Sequence, residues 1–364
     1  MKTTLSLTLI ALVFGGVSLH AQKIADPSAS VLDVQARRAF LKSTTDPRIR
    51  SAMKQLGSCV ASPMVAAPVG EMQIPHHYMH GSNGPTNPAE AEATRTYGAF
   101  EKRITAGMNQ WVATGNEAEA RCALDQLDAW AKAKALTNYD PKAYSQSWYQ
   151  AEWTLSSAGV TDSVLKQDGA LDSVEQERVT DWLRKAAHQL ISYEKPGLGN
   201  NHHYWRALAA TSIGVLSNDD KLFRDGVEVF KQAVSQEDDS GAFPLEMARH
   251  ENAIHYQAFA LQPLIMIAEF GERQHVDLYG VTAHGRTIRN AVLFLGEAIG
   301  DPGLVKKYTD DVQKTNFSPD GIAELEFYLA RFGAAGISSS ITNLLQRPVS
   351  ATRIGGSTTV LAGK

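Results

Sequence analysis

Apolar residues recur at intervals of three and four along most of the chain after about Ala89, as in PAEAEATRTYGAFEKRITAGMNQWVAT. This spacing places them on one face of an α-helix, whereas the alternation typical of strands is nearly absent. Each break between segments contains Gly, Pro, Asn, Asp or Ser, which commonly cap or end helices. The pattern predicts further helices starting near Glu117, Lys142, Ser173, His202, Asp219, Asn252, Thr287, Pro302 and Pro319.

About ten helices with short connections predict an all-α fold of stacked helical hairpins, either an open solenoid or a closed α/α toroid. The chain shows no fixed repeat length of the kind that marks tetratricopeptide or ankyrin arrays, so a toroid around one central cleft is favoured. A length of 364 residues allows one large domain or two of average size. We expect residues 22–364 to form one domain.

The segment 63–88 breaks the helical pattern. It is rich in Pro, Gly, Asn and His, and it has no helical period. Long irregular segments in compact domains are often lids or binding loops. We therefore predict a lid over the central cleft.

Residues 1–21, MKTTLSLTLIALVFGGVSLHA, have an early lysine, an apolar run and a small residue at the end. This pattern is typical of a secretory signal peptide. The apolar run is short for a membrane span, which needs roughly 20 residues. We expect cleavage after Ala21 and a periplasmic protein without a membrane anchor; a retained N-terminal anchor is the alternative.

The chain has only two cysteines, Cys59 and Cys122. Export to an oxidising compartment favours a disulfide between them. Two separately buried thiols are the alternative.

The composition is that of an ordinary globular protein, with 43% hydrophobic and 20% charged residues. The formal net charge is -4, which argues against nucleic acid or an anionic membrane as the main partner, because both require a concentrated basic face. Any site for a polyanion must therefore be local. We expect a monomer.

Seven of the 11 histidines fall in three short motifs. A zinc site is one interpretation, but the motifs lack a spacing such as HExxH, and adjacent histidines on a helix point about 100° apart. Ordinary packing or surface positions are a second interpretation, and an anion-binding site is a third. The clustered residues are His76, His77, His80, His202, His203, His250 and His255.

The NNHHYW motif, Asn200 to Trp205, follows a Gly-rich break and opens a predicted helix. Its polar side chains would therefore lie at the positive N-terminus of that helix, where Asn201 and His202 can donate hydrogen bonds to an anion. Further along, Arg249 and Tyr256 are two helical turns apart, and so share a face if the segment is helical throughout.

Together these groups suit β-elimination on a uronic-acid polymer, in which the C5 proton is removed and the C4 oxygen departs. The sugar carboxylate disfavours a neighbouring carbanion, so amide, imidazole and guanidinium groups must neutralise its charge. A tyrosine has an ordinary pKa near 10, and we expect Arg249 to favour the phenolate of Tyr256. That phenolate can take the C5 proton and return it to the leaving oxygen.

The two motifs resemble the signature regions of family 5 polysaccharide lyases, the periplasmic alginate lyases. The resemblance extends to the export signal, both cysteine positions, the loop around Tyr78, the helix-rich body and the C-terminal QRPVSATRIGG. It implies an incomplete α/α toroid that acts on an anionic polysaccharide without a metal or other cofactor. It also implies that Asn201, His202 and Arg249 neutralise the carboxylate, that Tyr256 is base and acid, and that Tyr78 lies on the lid.

The lid sequence HHYMHGSNG departs from the commoner lysine-containing version of this family, which leaves the preferred uronic acid open. Polymannuronate is our first expectation, and polyglucuronate or hyaluronan-like glucuronate polymers are close behind. Because histidines titrate near pH 6.5, we expect the lid histidines and His255 to make substrate preference depend on pH. Further predicted contacts to sugar come from Trp205, Tyr149, Trp148 and Arg347, although core packing fits Trp148 equally well and solvent exposure fits Arg347 equally well.

Two rival functions remain. An inverting glycoside hydrolase needs two carboxyl groups roughly 6.5–9.5 Å apart. Glu246 and Glu251 are the nearest candidates, but their spacing puts them about 140° apart on an ideal helix. A non-catalytic periplasmic uronate-binding protein would use the same cleft without proton transfer at Tyr256.

Overall fold

The computed structural model describes residues 22–80, 83–167, 169, 171, 173–193 and 199–364. The predicted signal peptide lies outside the described residues. Within them, the α-helices are α1 (Val34–Ser43), α2 (Pro47–Lys54), α3 (Pro88–Thr114), α4 (Glu117–Lys132), α5 (Ser145–Leu165), α6 (Ser173–Ser192), α7 (Asn201–Ser217), α8 (Asp220–Gln236), α9 (Pro244–Met247), α10 (Ala253–Arg273), α11 (Ile288–Gly300), α12 (Leu325–Phe332), α13 (Ser339–Leu344) and α14 (Thr358–Ala362). No helix in this part of the chain is long and apolar enough to cross a membrane.

The predicted all-α class is confirmed, and most predicted helix starts lie within a few residues of the observed ones. The predictions near Pro302 and Pro319 need correction, because Pro302–Lys307 and Pro319–Ile322 are short 3₁₀-helices. Proline fits the first turn of either helix type, so this start signal does not distinguish them.

The predicted lid segment is not wholly irregular. Two short strands, β1 (Tyr78–His80) and β2 (Asn83–Thr86), pair in antiparallel fashion, with Tyr78 opposite Thr86. Sequence patterning did not identify this pair because strands of three and four residues are too short to show a period.

Consecutive helices form hairpins, α3 with α4, α5 with α6 and α7 with α8. One helix of each hairpin joins an inner row in which α3 packs on α5, α5 on α7 and α7 on α10. The inner helix α5 is buried on all sides, whereas the outer helix α8 buries a stripe of residues at three- and four-residue spacing. The sequence thus indicates whether a helix lies in the inner or the outer layer, because a helix without a polar face must lie inside.

Close approach within the inner row depends on Gly159 of α5. A Cβ at this position would lie 2.5 Å from the Ser212 hydroxyl and 2.8 Å from an Ile213 carbon, both on α7. A side chain here would push α5 away from the helix that begins with the NNHHYW motif.

The predicted disulfide is confirmed. Cys59 is bonded to Cys122 of α4, with Cα atoms 5.9 Å apart. The Cys59 backbone N–H also donates to the Glu119 carboxylate (2.7 Å), and Arg103 donates to the Cys59 carbonyl (2.7 Å). These contacts attach the loop before the predicted lid segment to α3 and α4.

Replacing both cysteines by serine is expected to lower the free energy of unfolding by about 2–5 kcal/mol, because the open chain regains the entropy of a large loop. Urea unfolding of the double variant and of the oxidised parent measures this difference. The reduced parent is the control and should match the variant. Equal midpoints for oxidised parent and variant would contradict the prediction.

Candidate active site

A cavity of about 610 Å³ opens among the inner helices α5, α7 and α10. Residues of the predicted lid segment line one part of it, and the C-terminal 3₁₀-helix Thr352–Ile354 packs against α3, α5 and α10 at another. Its lining is rich in aromatic and ionisable side chains: His76, His77, Tyr78, Glu90, Gln146, Tyr149, Trp153, Asn200, Asn201, His202, Arg249, His255, Tyr256, Phe259, Gln262, Asn316, Phe317, Ser318, Gly321 and Arg353.

The hydroxyl of Tyr256 contacts two other polar side chains of the cavity. Arg249 Nη2 donates to it at 2.7 Å, and the Tyr78 hydroxyl lies 2.9 Å away. The Arg249 guanidinium also lies 3.9 Å from the centre of the Tyr256 ring. A cation, a lid hydroxyl and a phenol therefore meet at one point.

Arg249 and Tyr256 do not belong to one helix, as their seven-residue spacing had suggested. Arg249 precedes the 3₁₀-helix His250–Asn252, and Tyr256 lies in the first turn of α10. His250 has φ of 53°, in the left-handed region that few residues with a side chain adopt. The turn at His250 still brings the guanidinium to the phenol.

Burial raises the pKa of Tyr256 above its ordinary value, and the neighbouring Tyr78 hydroxyl adds to this rise. Arg249 acts in the opposite direction but does not prevail. The expectation that Arg249 favours the phenolate is therefore right in direction, but burial has the larger effect and leaves the pKa of Tyr256 above its ordinary value. Sequence could not reveal the burial that outweighs the cation.

Asn201 begins α7, as predicted, and its Asn200 neighbour caps the helix by accepting from the His202 N–H. The buried Glu246 carboxyl accepts from Asn201 twice, from the backbone N–H (2.6 Å) and from Nδ2 (2.9 Å). A protein carboxyl thus already occupies this helix N-terminus, where we had expected the substrate anion.

His202 stacks on Tyr149, with ring centres 3.4 Å apart, and its Nδ1 lies 3.2 Å from the Glu152 carboxylate. Glu152 lies on α5 and is completely buried. A carboxylate at Nδ1 fixes the orientation of the imidazole ring, which lines the cavity.

A further cation enters from the C-terminal segment. Arg353 lies with its guanidinium carbon 3.9 Å from the centre of the Trp153 ring. The buried carboxylates Glu101 and Glu152 favour its charged form, although burial lowers its pKa. This cation–π contact holds the positive charge against an aromatic side chain that lines the cavity.

Comparison with known proteins identifies the family. A family model described as Alginate lyase matches residues 18–304. The chain belongs to the alginate lyase family. Its relatives include a protein named polysaccharide lyase from Stenotrophomonas maltophilia, 28% identical over 74% of this chain and 80% of that protein. An alginate lyase from Pseudomonas aeruginosa is 29% identical over 76% of this chain and 78% of that protein.

The alginate lyase relationship extends to solved structures. Alginate lyase A1-III from Sphingomonas species A1 superposes with a TM-score of 0.87, is 40% identical, and covers 94% of this chain and 97% of its own. A histidine-to-alanine variant of A1-III complexed with a tetrasaccharide gives a TM-score of 0.88. The likeness confirms the predicted α/α toroid and the family resemblance drawn from the two motifs.

The chain is therefore a polysaccharide lyase, and neither the hydrolase nor the non-catalytic binding protein is supported. The two carboxyls weighed for hydrolysis are also poorly placed. Glu246 is buried behind Asn201, and Glu251 pairs with Lys314 and does not line the cavity.

In this alginate lyase family member, the cavity is lined by seven of the predicted contact or catalytic residues, namely Asn201, His202, Arg249, Tyr256, Tyr78, Tyr149 and His255. His255 stacks on Phe317, and burial lowers its pKa. Of the lid histidines, His76 and His77 line the cavity, and His80 does not. Within the described residues, no group of three or more His, Cys, Asp or Glu side chains is arranged to hold a metal.

Three predicted sugar contacts need correction. Trp205 and Trp148 are fully buried, with 0% exposure, and neither lines the cavity. Trp205 packs on Phe259 and Trp148 donates to the Leu190 carbonyl, so both indoles belong to the core. Arg347 is exposed at the surface and outside the cavity.

Several lining residues escaped sequence reasoning. Arg353 lies six residues beyond the arginine that we had chosen, in the same C-terminal motif. Trp153 and Phe259 also line the cavity, and an aromatic on a buried helix gives no sequence sign of facing a cleft. The sequence also did not predict that the carboxyl of Glu152 would contact His202, or that the carboxyl of Glu246 would contact Asn201.

Proposed function

We propose that this lyase cleaves uronate polymers by metal-independent syn β-elimination, with Tyr256 as base and acid. Polymannuronate is the first expected substrate, and glucuronate-containing polymers are the second. The observation that carries this proposal is the meeting of the Tyr256 hydroxyl with Arg249 in a cavity that also contains Asn201 and His202. Products would be chains with a 4,5-unsaturated uronate at the new non-reducing end.

Proton balance follows from this assignment. The Tyr256 phenolate takes the proton from C5, and the C5–H electron pair forms the C4=C5 double bond as the C4–O bond breaks. Tyr256 then gives the proton to the departing oxygen and is again a phenolate. Only one initial deprotonation is required. The Tyr78 hydroxyl, 2.9 Å away, can accept that proton and pass its own to solvent water.

Charge neutralisation falls to the groups around the phenol. We assign the substrate carboxylate to Asn201, His202 and Arg249, which lie on α7 and just before α10. Preorganised donors of this kind stabilise a developing enolate more than the resting carboxylate, and removing one typically costs about 10²–10³ in rate.

Two variants of alginate lyase A1-III complexed with a tetrasaccharide support the assignment of His202 and Tyr256. One carries a histidine-to-alanine and the other a tyrosine-to-phenylalanine replacement. The replaced histidine and tyrosine are separated by the same number of residues as His202 and Tyr256. This matched separation favours equivalent positions in the two chains.

The substrate class follows from stereochemistry. Mannuronate and glucuronate differ at C2, away from the C4–C5 bond that breaks, and in both the C5 proton and C4 oxygen are on the same side. One tyrosine can therefore serve both sugars. Discrimination would fall to groups that reach the hydroxyls, for which His77 and His255 are placed in the lining.

We also propose that the enzyme acts outside the cytoplasm, in the periplasm. The signal-peptide pattern of residues 1–21 and the disulfide between Cys59 and Cys122 support export.

Incubation with polymannuronate is expected to produce new ultraviolet absorbance, because elimination conjugates the C4=C5 double bond with the carboxylate. A neutral polysaccharide of similar length is the control and should give no signal, since it has no carboxylate to activate C5. New reducing ends without absorbance would indicate hydrolysis and overturn the proposal.

A further inference from the structure

Glu246 is a completely buried carboxyl that the elimination chemistry does not use. It lies in α9, three residues before Arg249, and both of its oxygens accept from Asn201. The first of these bonds comes from the backbone at the start of α7, and the second comes from the Asn201 side chain. Glu246 therefore fixes the position of the helix terminus and of the Asn201 amide.

The Asn201 amide is only partly satisfied. Its Nδ2 has two N–H donors, of which Glu246 accepts one, and its Oδ1 is buried without a hydrogen-bond partner among the described residues. Asn201 lines the cavity. A uronate carboxylate is an acceptor, so it needs N–H donors and is opposed by an unpaired carbonyl oxygen beside it. In this orientation Glu246 uses one of the two amide donors and the carbonyl oxygen has no donor, which makes Asn201 a poor ligand for the substrate carboxylate.

A proton on Glu246 reverses this arrangement. A protonated carboxyl can donate from Oε2 to Asn201 Oδ1 after the amide turns over, which satisfies the buried oxygen and releases Nδ2–H towards the cavity. Oε1 still accepts from the Asn201 backbone N–H. The same proton removes a negative charge close to the place where the substrate carboxylate binds.

We propose that Glu246 is a positioning residue for Asn201, and that its protonated form selects the amide orientation that binds the uronate carboxylate. This rests on the proposed function, because it takes Asn201 to be a substrate contact. Burial raises the pKa of Glu246 to about 7, while the Asn201 hydrogen bonds and Arg249 act against that rise. The protonated form is therefore available in the neutral range.

Other titratable groups act near Glu246. Arg249 follows it in the chain, Tyr204 faces it from α7 and Tyr256 from α10. Tyr256 must lose a proton for catalysis, so its titration also shapes the pH profile of turnover. A binding measurement in a Tyr256→Phe background removes that contribution.

The experiment compares the affinity of Tyr256→Phe and Tyr256→Phe/Glu246→Gln for a mannuronate tetrasaccharide at pH 6 and pH 9. Glutamine can donate to Asn201 Oδ1 at every pH and so imitates the protonated carboxyl. We expect the affinity of Tyr256→Phe to fall about tenfold or more at pH 9, because a group with a pKa near 7 is then almost wholly ionised. The glutamine variant should change less than threefold.

Glu251→Gln in the same background is the matched control, because Glu251 is a nearby carboxylate paired with Lys314 outside the cavity. Its affinity should fall with pH as in Tyr256→Phe. The inference would be overturned if the affinity of the Glu246→Gln variant falls with pH as much as that of Tyr256→Phe. It would also be overturned if the affinity of Tyr256→Phe does not change with pH. Failure of Tyr256→Phe to bind the tetrasaccharide at either pH would instead contradict the proposed function.

A further variant distinguishes a purely structural role of Glu246 from the proposed role of its protonated form. Glu246→Ala in the same background removes both acceptors, and we expect about tenfold weaker binding at pH 6, with thermal unfolding to verify folding. If Glu246→Gln loses as much affinity as Glu246→Ala at pH 6, Glu246 acts as an anion at α7 and the inference is wrong.

Discussion

Tyr256→Phe is expected to lower kcat by about 10³-fold or more and to leave affinity for a mannuronate tetrasaccharide nearly unchanged. General acid and general base catalysis each contribute typically 10²–10⁴-fold, and the proposed reaction uses one hydroxyl for both. Only that oxygen is removed, and the ring keeps its contact with Phe259 and with the Arg249 guanidinium. The measurement is ultraviolet absorbance at saturating substrate, together with calorimetric binding.

Tyr328→Phe provides the matched control. Tyr328 is also a buried tyrosine, lies outside the cavity, and receives only a long hydrogen bond of 3.4 Å from Arg289. Its removal should leave kcat within about twofold, as expected for a neutral hydrogen bond away from the site. If Tyr256→Phe retains parental turnover, another group is the base and the assignment fails.

The raised pKa of Tyr256 affects the pH dependence expected of the parent enzyme. Because burial and Tyr78 raise the pKa of Tyr256, the phenolate fraction increases with pH throughout the neutral range. Turnover limited by that fraction would rise with pH. Glu246 acts in the other direction, since its protonated form is lost above about pH 7. The two groups together predict a bell-shaped profile for kcat/KM.

Sequence reasoning located the catalytic elements because their signals are local. The NNHHYW motif follows a Gly-rich break, and the observed helix α7 begins at Asn201. Helix starts are predictable from caps and breaks within a few residues of sequence. The cysteines were also informative, since the chain offers only Cys59 and Cys122 as partners.

The environment of those elements was not predictable, because it depends on contacts between distant parts of the chain. Glu152 and His202 meet across two inner helices, and Glu246 reaches Asn201 from a separate segment. A helix buried on all sides also has no polar face to indicate which aromatic turns to the cavity. Trp153 and Trp148 lie on the same helix, and only Trp153 lines the site.

The sequence spacing of Arg249 and Tyr256 gave the correct contact from an incorrect local structure. Seven residues on a continuous helix would align two side chains on one face. In the structure the chain turns at His250 in the left-handed region and then enters α10. The long guanidinium side chain bridges this turn, so the contact is retained although the helix is interrupted.

Arg249→Met is expected to lower kcat/KM by about 10³-fold, roughly 4 kcal/mol of transition-state stabilisation. Two losses combine. The substrate carboxylate loses a fixed positive charge, and Tyr256 loses both its 2.7 Å donor and a cation that lowers its pKa. The pKa of Tyr256 therefore rises further, and the pH at which kcat begins to increase should move upwards. Steady-state kinetics over a pH series measures both effects.

Two further variants act as controls. Arg249→Lys tests whether positive charge alone is sufficient, and Arg347→Met tests whether the position of the charge matters. Lysine keeps a positive charge but lacks the planar fork that reaches the phenol while facing a carboxylate, so an intermediate loss is expected. Arg347 is exposed outside the cavity, so its removal should leave both kcat and the pH profile within about twofold of the parent. If Arg249→Met lowers kcat/KM without moving the pH dependence of kcat, then Arg249 binds the carboxylate but does not tune Tyr256. A loss in Arg347→Met equal to that in Arg249→Met would show that long-range positive charge, rather than the contact at the phenol, supports the elimination.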